Sequence, residues 1–183
     1  MYIKPKSVKL KNGQSITLRS PDMFDAEQLL NHMRLTSAET EFMSRYPEEI
    51  NISVESQSRF LQMIENDAEN FMLAAYLDGR MVGNAAVTRV RDNFKYRHRA
   101  NFGISLQEEV CGIGLGTIIM SEILDIVKQT TFEQLELTVF GDNLRAIHLY
   151  EKVGFKKVGS MPRAYRLKNG SYHDEVQMVY RVK

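Results

Sequence analysis

Three glycines at alternate positions stand directly before an apolar run and could bind a phosphate group. The stretch Cys111-Gly112-Ile113-Gly114-Leu115-Gly116-Thr117 opens into the apolar segment 118–127. Glycine lets a backbone approach a ligand closely, and the first turn of a following helix offers unpaired N–H groups and a positive dipole to an anion. The stretch therefore predicts a phosphate-binding turn built from backbone amides.

Three phosphate ligands compete for this turn. A dinucleotide fingerprint needs GxGxxG and an acidic residue about 20 positions later. Here the third glycine comes one residue early, and Asp142 lies 26 positions after Gly116. A nucleoside-triphosphate loop needs a lysine after its last glycine, and Thr117 stands there instead. The third ligand is the diphosphate of coenzyme A, which needs only backbone N–H groups and a helix N-terminus.

A second motif lies further along the chain. The strand-like run Leu135 to Phe140 leads to Asn143, Ala146, Tyr150, Gly154 and Phe155. These five residues match the pattern Asn-x-x-Ala-x-x-x-Tyr-x-x-x-Gly-Phe at every named position. Together with the glycine stretch, they make the sequence resemble the GCN5-related N-acetyltransferase (GNAT) superfamily over most of the chain. The tail 166–175 resembles the branch that includes protein N-terminal alanine, amino-acid and small-amine acetyltransferases.

The resemblance implies an acetyl-CoA site made mostly of backbone groups. The diphosphate would meet the amides of Gly112, Ile113, Gly114, Leu115, Gly116 and Thr117. The family usually carries Gln or Arg where Cys111 stands, so Cys111 is a departure within the predicted site. Ile104 and Leu106 belong to the strand that pairs with pantetheine in the family, Asn143 would contact the pantetheine arm as well as cap a helix, and Lys152 would reach a CoA phosphate.

The resemblance also assigns a catalytic role to Tyr150. An amine that attacks the thioester directly releases CoA as a thiolate, which a nearby acid can protonate. A phenol and a thiol have ordinary pKa values of roughly 10 and 8.5, so the transfer is plausible. The alternative is that Tyr150 only packs as an aromatic residue of its helix. The general base stays open among Glu108, Glu109, Glu41 and an ordered water.

The acceptor is expected to be a primary amine on a small molecule, an amino acid or a protein N-terminus. In the family the acceptor cleft is built by the helix-loop-helix before the sheet, so Glu41 and Tyr46 are named as acceptor contacts. This segment carries five carboxylates that would favour a cationic amine or would simply be solvated: Glu39, Glu41, Glu48, Glu49 and Glu55. The basic residues between Arg89 and Arg99 are interpreted as a solvated turn rather than a nucleic-acid site. A non-catalytic CoA-binding or regulatory domain of the same fold is the competing function.

Composition sets the remaining limits. The 183 residues carry a formal net charge of +1, with 43% hydrophobic and 26% charged residues, which is typical of one globular domain spanning 1–183. No apolar segment approaches the roughly 20 residues of a membrane span, and the N-terminus lacks the apolar core of a signal peptide. A cytoplasmic protein without nucleic-acid or membrane partners is expected, and a homodimer is left open. One cysteine and four scattered histidines predict no metal site.

The pattern of elements predicts an α+β fold with a single mixed, mostly antiparallel central sheet and about four flanking helices. Asn12-Gly13 suits a tight type I′ turn in an opening hairpin. A helix is expected over 23–35, a second helix is expected to be capped by Ser53, and strands are expected over 71–77, 81–89, 100–106 and 135–140. Asn143 to Val153 is predicted as a helix ended by Gly154, followed by closing strands over 155–158 and 175–182.

Overall fold

The computed structural model describes all 183 residues, Met1–Lys183. The chain forms four α-helices and eight strands, and short 3₁₀ turns cover Met23–Asp25, Pro47–Glu49 and Glu108–Val110. In chain order the elements are β1 (Lys6–Lys9), β2 (Ser15–Arg19), α1 (Ala26–Glu39), α2 (Val54–Asn66), β3 (Phe71–Leu77), β4 (Arg80–Arg89), β5 (Arg99–Leu106), α3 (Leu115–Val127), β6 (Gln134–Phe140), α4 (Leu144–Lys152), β7 (Lys156–Arg166) and β8 (Tyr172–Arg181).

The strands form a sheet in the order β1-β2-β3-β4-β5-β6-β8-β7. Antiparallel pairs join β1 to β2, β2 to β3, β3 to β4, β6 to β8, and β7 to β8. The strands β5 and β6 are parallel, as expected for a connection that passes through a helix. The predicted α+β class, with one mostly antiparallel sheet and four helices, is confirmed.

The chain divides into two compact units, of which the first comprises Met1–Thr88 and Gly103–Ile119. Its helices α1 and α2 pack on β3 and β4 through a core of buried side chains. The core residues are Ala26, Leu29, Leu61, Ile64, Met72, Ala74, Tyr76 and Met81. Ser53 caps α2 as predicted, because its hydroxyl accepts a hydrogen bond from the Ser56 amide at 3.1 Å.

The second unit comprises Arg89–Phe102 and Met120–Lys183. The period-two pattern of β6 is confirmed, since Leu135, Leu137 and Val139 are buried while the side chains between them are more exposed. The register pairs Arg99–Asn101 of β5 with Gln134–Glu136 of β6. Each strand continues beyond these three residues, to Leu106 and to Phe140.

One local prediction needs correction. The opening hairpin is present, but its turn is not a two-residue type I′ turn. Leu10 and Gln14 close the loop through a 2.8 Å hydrogen bond, and Gly13 alone has a positive φ, of 87°. The tight type I′ geometry occurs instead between β3 and β4, where both Asp78 and Gly79 have positive φ.

Two predicted elements are longer in the structure. Helix α1 runs to Glu39 rather than 35. The Thr36 hydroxyl donates back to the carbonyls of His32 and Met33, so it is satisfied inside the helix. Strand β7 runs to Arg166 rather than 158 and pairs with β8 along most of its length. Its side chains are mostly exposed, so no apolar alternation reveals it in the sequence. None of the helices has the length and apolarity that a membrane span requires.

Candidate active site

The glycine stretch forms a turn between the 3₁₀ turn 108–110 and helix α3. Gly112 and Gly114 have φ values of 81° and 96°, in the left-handed region that favours glycine, whereas Gly116 lies within the first turn of the helix. The two left-handed residues reverse the chain so that it enters α3 at Leu115, which is fully buried. The first two glycines therefore shape the turn, and the third lies in the first turn of the helix.

The amides of this turn differ in their hydrogen bonding. The first helical hydrogen bond of α3 joins the Ile118 amide to the Gly114 carbonyl at 3.1 Å, so the amides of Leu115, Gly116 and Thr117 precede the helical ladder. The amide of Cys111, in contrast, donates to the Glu108 carbonyl at 2.9 Å. Cys111 is a free, partly buried cysteine, and its amide is used within the fold.

A lysine of the first hairpin lies against the turn. The amide of Lys11 donates to the Ile113 carbonyl at 3.2 Å. A Cβ built on Gly114 would lie 3.4 Å from Cγ and 3.5 Å from Cε of Lys11, so the lysine stem crosses the glycine directly. The exposed ammonium group at the end of this stem therefore adds positive charge beside the turn.

Strand β5 presents different side chains on its two faces. Leu106 packs against Gly83 of β4, where a Cβ would come within 2.7 Å of Leu106 Cδ2 and 3.6 Å of Ile119 Cδ1 of α3. Alternation places Ile104 on this same face. Ser105 has the opposite orientation and meets His32 of α1, with 2.8 Å between Ser105 Oγ and His32 Nε2.

His32 is the centre of a buried polar cluster in the first unit. Its side chain is 1% exposed, and Gln107 Nε2 lies 3.2 Å from its Nδ1. Burial lowers the pKa of His32 to about 4, and a hydrogen bond with the Ser105 backbone opposes this shift in part. The imidazole is therefore neutral at physiological pH.

This lowered pKa predicts a specific loss of stability in acid. The unfolded chain binds the His32 proton below about pH 6.5, and the native chain binds it only below about pH 4. The contribution of the buried neutral imidazole to the free energy of unfolding is therefore fully present above pH 6.5 and is lost as the pH falls to 4. We expect the free energy of unfolding to fall by roughly 3 kcal/mol more over this range than in His32→Gln. Urea unfolding of both proteins at several pH values measures this difference, and equal losses would contradict a neutral buried imidazole.

Tyr150 lies in an aromatic cluster of the second unit. Its side chain is 7% exposed, and its ring meets Phe102 edge to face with centroids 6.4 Å apart and Phe155 at 5.8 Å. Burial raises the pKa of Tyr150 to about 12. The phenol thus stays protonated at neutral pH, but its pKa is further from that of a thiol than the sequence-based comparison assumed.

The start of α4 confirms one predicted role. Asn143 caps this helix, since its Oδ1 accepts a 3.1 Å hydrogen bond from the Ala146 amide. Lys152 is exposed in the last turn of the helix. Gly154 follows with a φ of 104°, and a Cβ there would lie 3.2 Å from the ring of Tyr180, so close packing as well as the backbone turn favours glycine.

The segment predicted to contact the acceptor is partly occupied by structural contacts. Glu41 is exposed and Tyr46 is half-buried, and the Tyr46 amide donates to the Glu49 carboxylate at 2.8 Å. Glu39 accepts a 2.9 Å hydrogen bond from the Glu108 amide, and Glu55 pairs with Arg59 along α2. Three of the five carboxylates in this segment therefore stabilise local structure.

The candidate bases and the basic turn both lie at the surface of the protein. Glu41, Glu108 and Glu109 are exposed, and Glu109 forms a 2.7 Å ion pair with Arg80. The structure contains no group of three or more His, Cys, Asp or Glu side chains that could hold a metal ion. In the basic segment the arginines have partners: Arg89 pairs with Asp92, Arg91 and Arg97 lie over aromatic rings, and Arg99 pairs with Glu136.

The sequence did not reveal the residues around His32 or the position of Lys11. His32 and Ser105 are 73 positions apart, and no spacing rule connects a helix histidine to a strand serine over that distance. Lys11 could have been suspected, because it directly precedes the Asn12-Gly13 turn. Its approach to Gly114, however, depends on how the hairpin folds.

Comparison with known proteins finds similarity to acetyltransferases. The sequence model described as "Acetyltransferase (GNAT) family" matches residues 34–155, about two thirds of the chain. The L-amino acid N-acetyltransferase AaaT of Escherichia coli (strain K12) is 35% identical over 112 residues, which cover 61% of this chain and 67% of AaaT.

Solved structures share the fold. An acetyltransferase of the GNAT family from Streptococcus pneumoniae superposes with a TM-score of 0.87 at 25% identity, covering 92% of this chain and 99% of that protein. The yncA protein of Salmonella typhimurium, solved with its cofactor acetyl-CoA, gives a TM-score of 0.79 at 17% identity and covers 92% of this chain and 94% of its own.

Proposed function

Because the chain belongs to the acetyltransferase (GNAT) family, we propose that it transfers an acetyl group from acetyl-CoA to the primary amine of an amino acid or of a related small amine. The observation that carries this proposal is the left-handed glycine turn that leads into α3, within the part of the chain that matches the family. The relative AaaT is an L-amino acid N-acetyltransferase, which supports an amino acid as acceptor.

The first unit offers the groups that a coenzyme A diphosphate requires. We propose that the amides of residues 112–117, foremost those of Leu115, Gly116 and Thr117, donate to the phosphate oxygens. Lys11 would supply a positive side chain beside the turn in place of the Gln or Arg that the family usually carries at the position of Cys111, since its stem crosses Gly114. The backbone of Ile104 and Leu106 would pair with pantetheine as an added strand.

The second unit carries two further residues that we propose as contacts to acetyl-CoA. Asn143 already caps α4 through Oδ1, so its side-chain amide N–H₂ stays available to a pantetheine carbonyl. Lys152 is exposed at the end of the same helix, where an ammonium can meet a phosphate.

For the chemical step, we propose that the neutral amine attacks the thioester carbonyl and that the Tyr150 hydroxyl gives its proton to the departing thiolate. The raised pKa of Tyr150 keeps this proton in place until the thiolate forms. The same burial disfavours a free thiolate, which raises the pKa of the leaving thiol and favours the transfer. The amine's proton would pass to an ordered water or to one of the exposed carboxylates Glu41, Glu108 and Glu109.

The donor site predicts thermal stabilisation by acetyl-CoA. At 100 times the dissociation constant, a ligand that binds only the native state stabilises it by about 2.7 kcal/mol. For a chain of this size we expect the Tm to rise by about 5–10 °C. Thermal unfolding with and without acetyl-CoA measures the shift, and an unchanged Tm at saturating concentrations would overturn the donor site.

Release of free CoA thiol separates an enzyme from a binder. With acetyl-CoA and a panel of amino acids and amines, an enzyme releases thiol in proportion to the acetylated amine. A non-catalytic CoA-binding domain of the same fold would show the Tm shift without acceptor-dependent thiol release. That result would reject the proposed reaction while leaving the donor site intact.

A further inference from the structure

The buried cluster around His32 has a fixed direction of hydrogen bonding, which begins at Arg80. The guanidinium of Arg80 pairs with Glu109 at 2.7 Å and also donates to Gln107 Oε1 at 2.8 Å. An arginine can only donate, so the oxygen of the Gln107 amide must face it. The Gln107 nitrogen consequently points into the protein, where Gln107 is 3% exposed.

This orientation determines which nitrogen of His32 carries the proton. Gln107 Nε2 donates to the Met81 carbonyl at 2.9 Å and lies 3.2 Å from His32 Nδ1. An amide nitrogen has two protons and accepts none, so Nδ1 must be the acceptor. The neutral imidazole therefore bears its proton on Nε2, which faces Ser105 at 2.8 Å.

The consequence is that the hydroxyl proton of Ser105, on strand β5, is available to a ligand. Since His32 Nε2–H donates to Ser105 Oγ, the serine hydroxyl does not need its own proton for this contact. Ser105 is only partly buried, and Gly103 precedes it on the same face of the strand. A Cβ built on Gly103 meets no atom within 4 Å, so this face of the strand is open two residues before Ser105.

We infer that the Ser105 hydroxyl donates a hydrogen bond to the carboxylate of an amino-acid acceptor and that His32 positions this hydroxyl. The inference rests on the proposed function and deepens it, since it names a residue that would distinguish amino acids from amines without a carboxylate. Ser105 is a binding residue in this proposal, and His32, Gln107 and Arg80 act through it. A donor that is already held in place binds a charged oxygen without paying to restrict its rotation.

The test compares acceptors that differ only in the carboxylate. Phenylalanine and phenethylamine form one such pair, and leucine and 3-methylbutylamine form another. Loss of a hydrogen bond to a charged group predicts that Ser105→Ala raises KM for the amino acids roughly 10-fold or more. KM for the matching amines, and kcat for both acceptors, are expected to stay unchanged. Ser105→Thr keeps the hydroxyl and should stay close to the parent enzyme.

Two substitutions test whether His32 positions the Ser105 hydroxyl. His32→Phe fills a similar volume but removes the donor, so it should raise KM for amino acids and leave KM for amines unchanged. His32→Gln restores an N–H near Nε2 and should recover part of the loss. In Ser105→Ala the His32→Phe change should have no additional effect on the amino-acid KM, because both act on the same hydrogen bond.

Several outcomes would overturn the inference. An equal KM increase for amino acids and amines would indicate general distortion of β5, and an equal fall in kcat would place the hydroxyl on the thioester carbonyl instead. An unchanged amino-acid KM in Ser105→Ala would exclude the contact outright. Because the parent enzyme is assayed alongside, absence of its own acceptor-dependent thiol release would reveal failure of the proposed function, with which the inference would fall.

Discussion

Tyr150→Phe is expected to lower kcat for amine acetylation by about 10²- to 10⁴-fold, the usual contribution of a positioned general acid. The variant removes one oxygen and keeps the ring that packs against Phe102 and Phe155, so the fold should be preserved. The stabilisation by acetyl-CoA should persist, because in the proposed mechanism the phenol acts on the leaving group and not on the diphosphate. Steady-state thiol release and thermal unfolding measure the two effects separately.

The same aromatic cluster supplies a control. Tyr180 packs on Phe155 with ring centroids 5.5 Å apart, so Tyr180→Phe removes a phenol from the same surroundings. We expect this variant to turn over at the parent rate. If Tyr150→Phe also retained the parent rate, Tyr150 would be an aromatic packing residue of α4 and not the acid.

Gly114→Val should weaken acetyl-CoA binding by roughly 10- to 100-fold, since holding a non-glycine residue in a strained conformation costs about 1–3 kcal/mol. The φ of Gly114 is 96°, and a Cβ there meets the stem of Lys11 at 3.4 Å. Relief of this strain would turn the amides at the start of α3 away from the phosphate. The KM for acetyl-CoA and the ligand-induced Tm shift report the loss.

Gly170 provides the matched control in the turn between β7 and β8. Its φ is 87° and a Cβ there meets no atom within 4 Å, so Gly170→Val carries similar backbone strain away from the proposed site. It should lose stability but keep the acetyl-CoA affinity of the parent. If Gly114→Val is too unstable to assay, Gly112→Ala tests the same turn more mildly, at a φ of 81°. Full acetyl-CoA affinity in both turn variants would separate the turn from phosphate binding.

Local chemistry explains why much of the fold could be predicted. The alternation of β6, the Ser53 and Asn143 caps and the glycine turn depend on neighbouring residues, so their pattern is visible in the sequence. Strand β7 was predicted too short, because an exposed strand is defined by its pairing with β8 and not by buried side chains. The first hairpin turn was misassigned because Asn12-Gly13 is compatible with more than one loop geometry.

In the candidate site, too, some features depend on neighbouring residues and others on contacts between distant ones. The glycine turn before a helix and the place of Tyr150 in the motif typical of this family are visible in the sequence, because both depend on spacing within one segment. The protonation of Tyr150 and His32 follows only from the folded structure, since the pKa of a group depends on which atoms surround it. Only the structure, too, brought Lys11 to Gly114 and Ser105 to His32. The reason is physical: burial and hydrogen-bond direction arise from contacts between residues far apart in sequence, which local patterns do not encode.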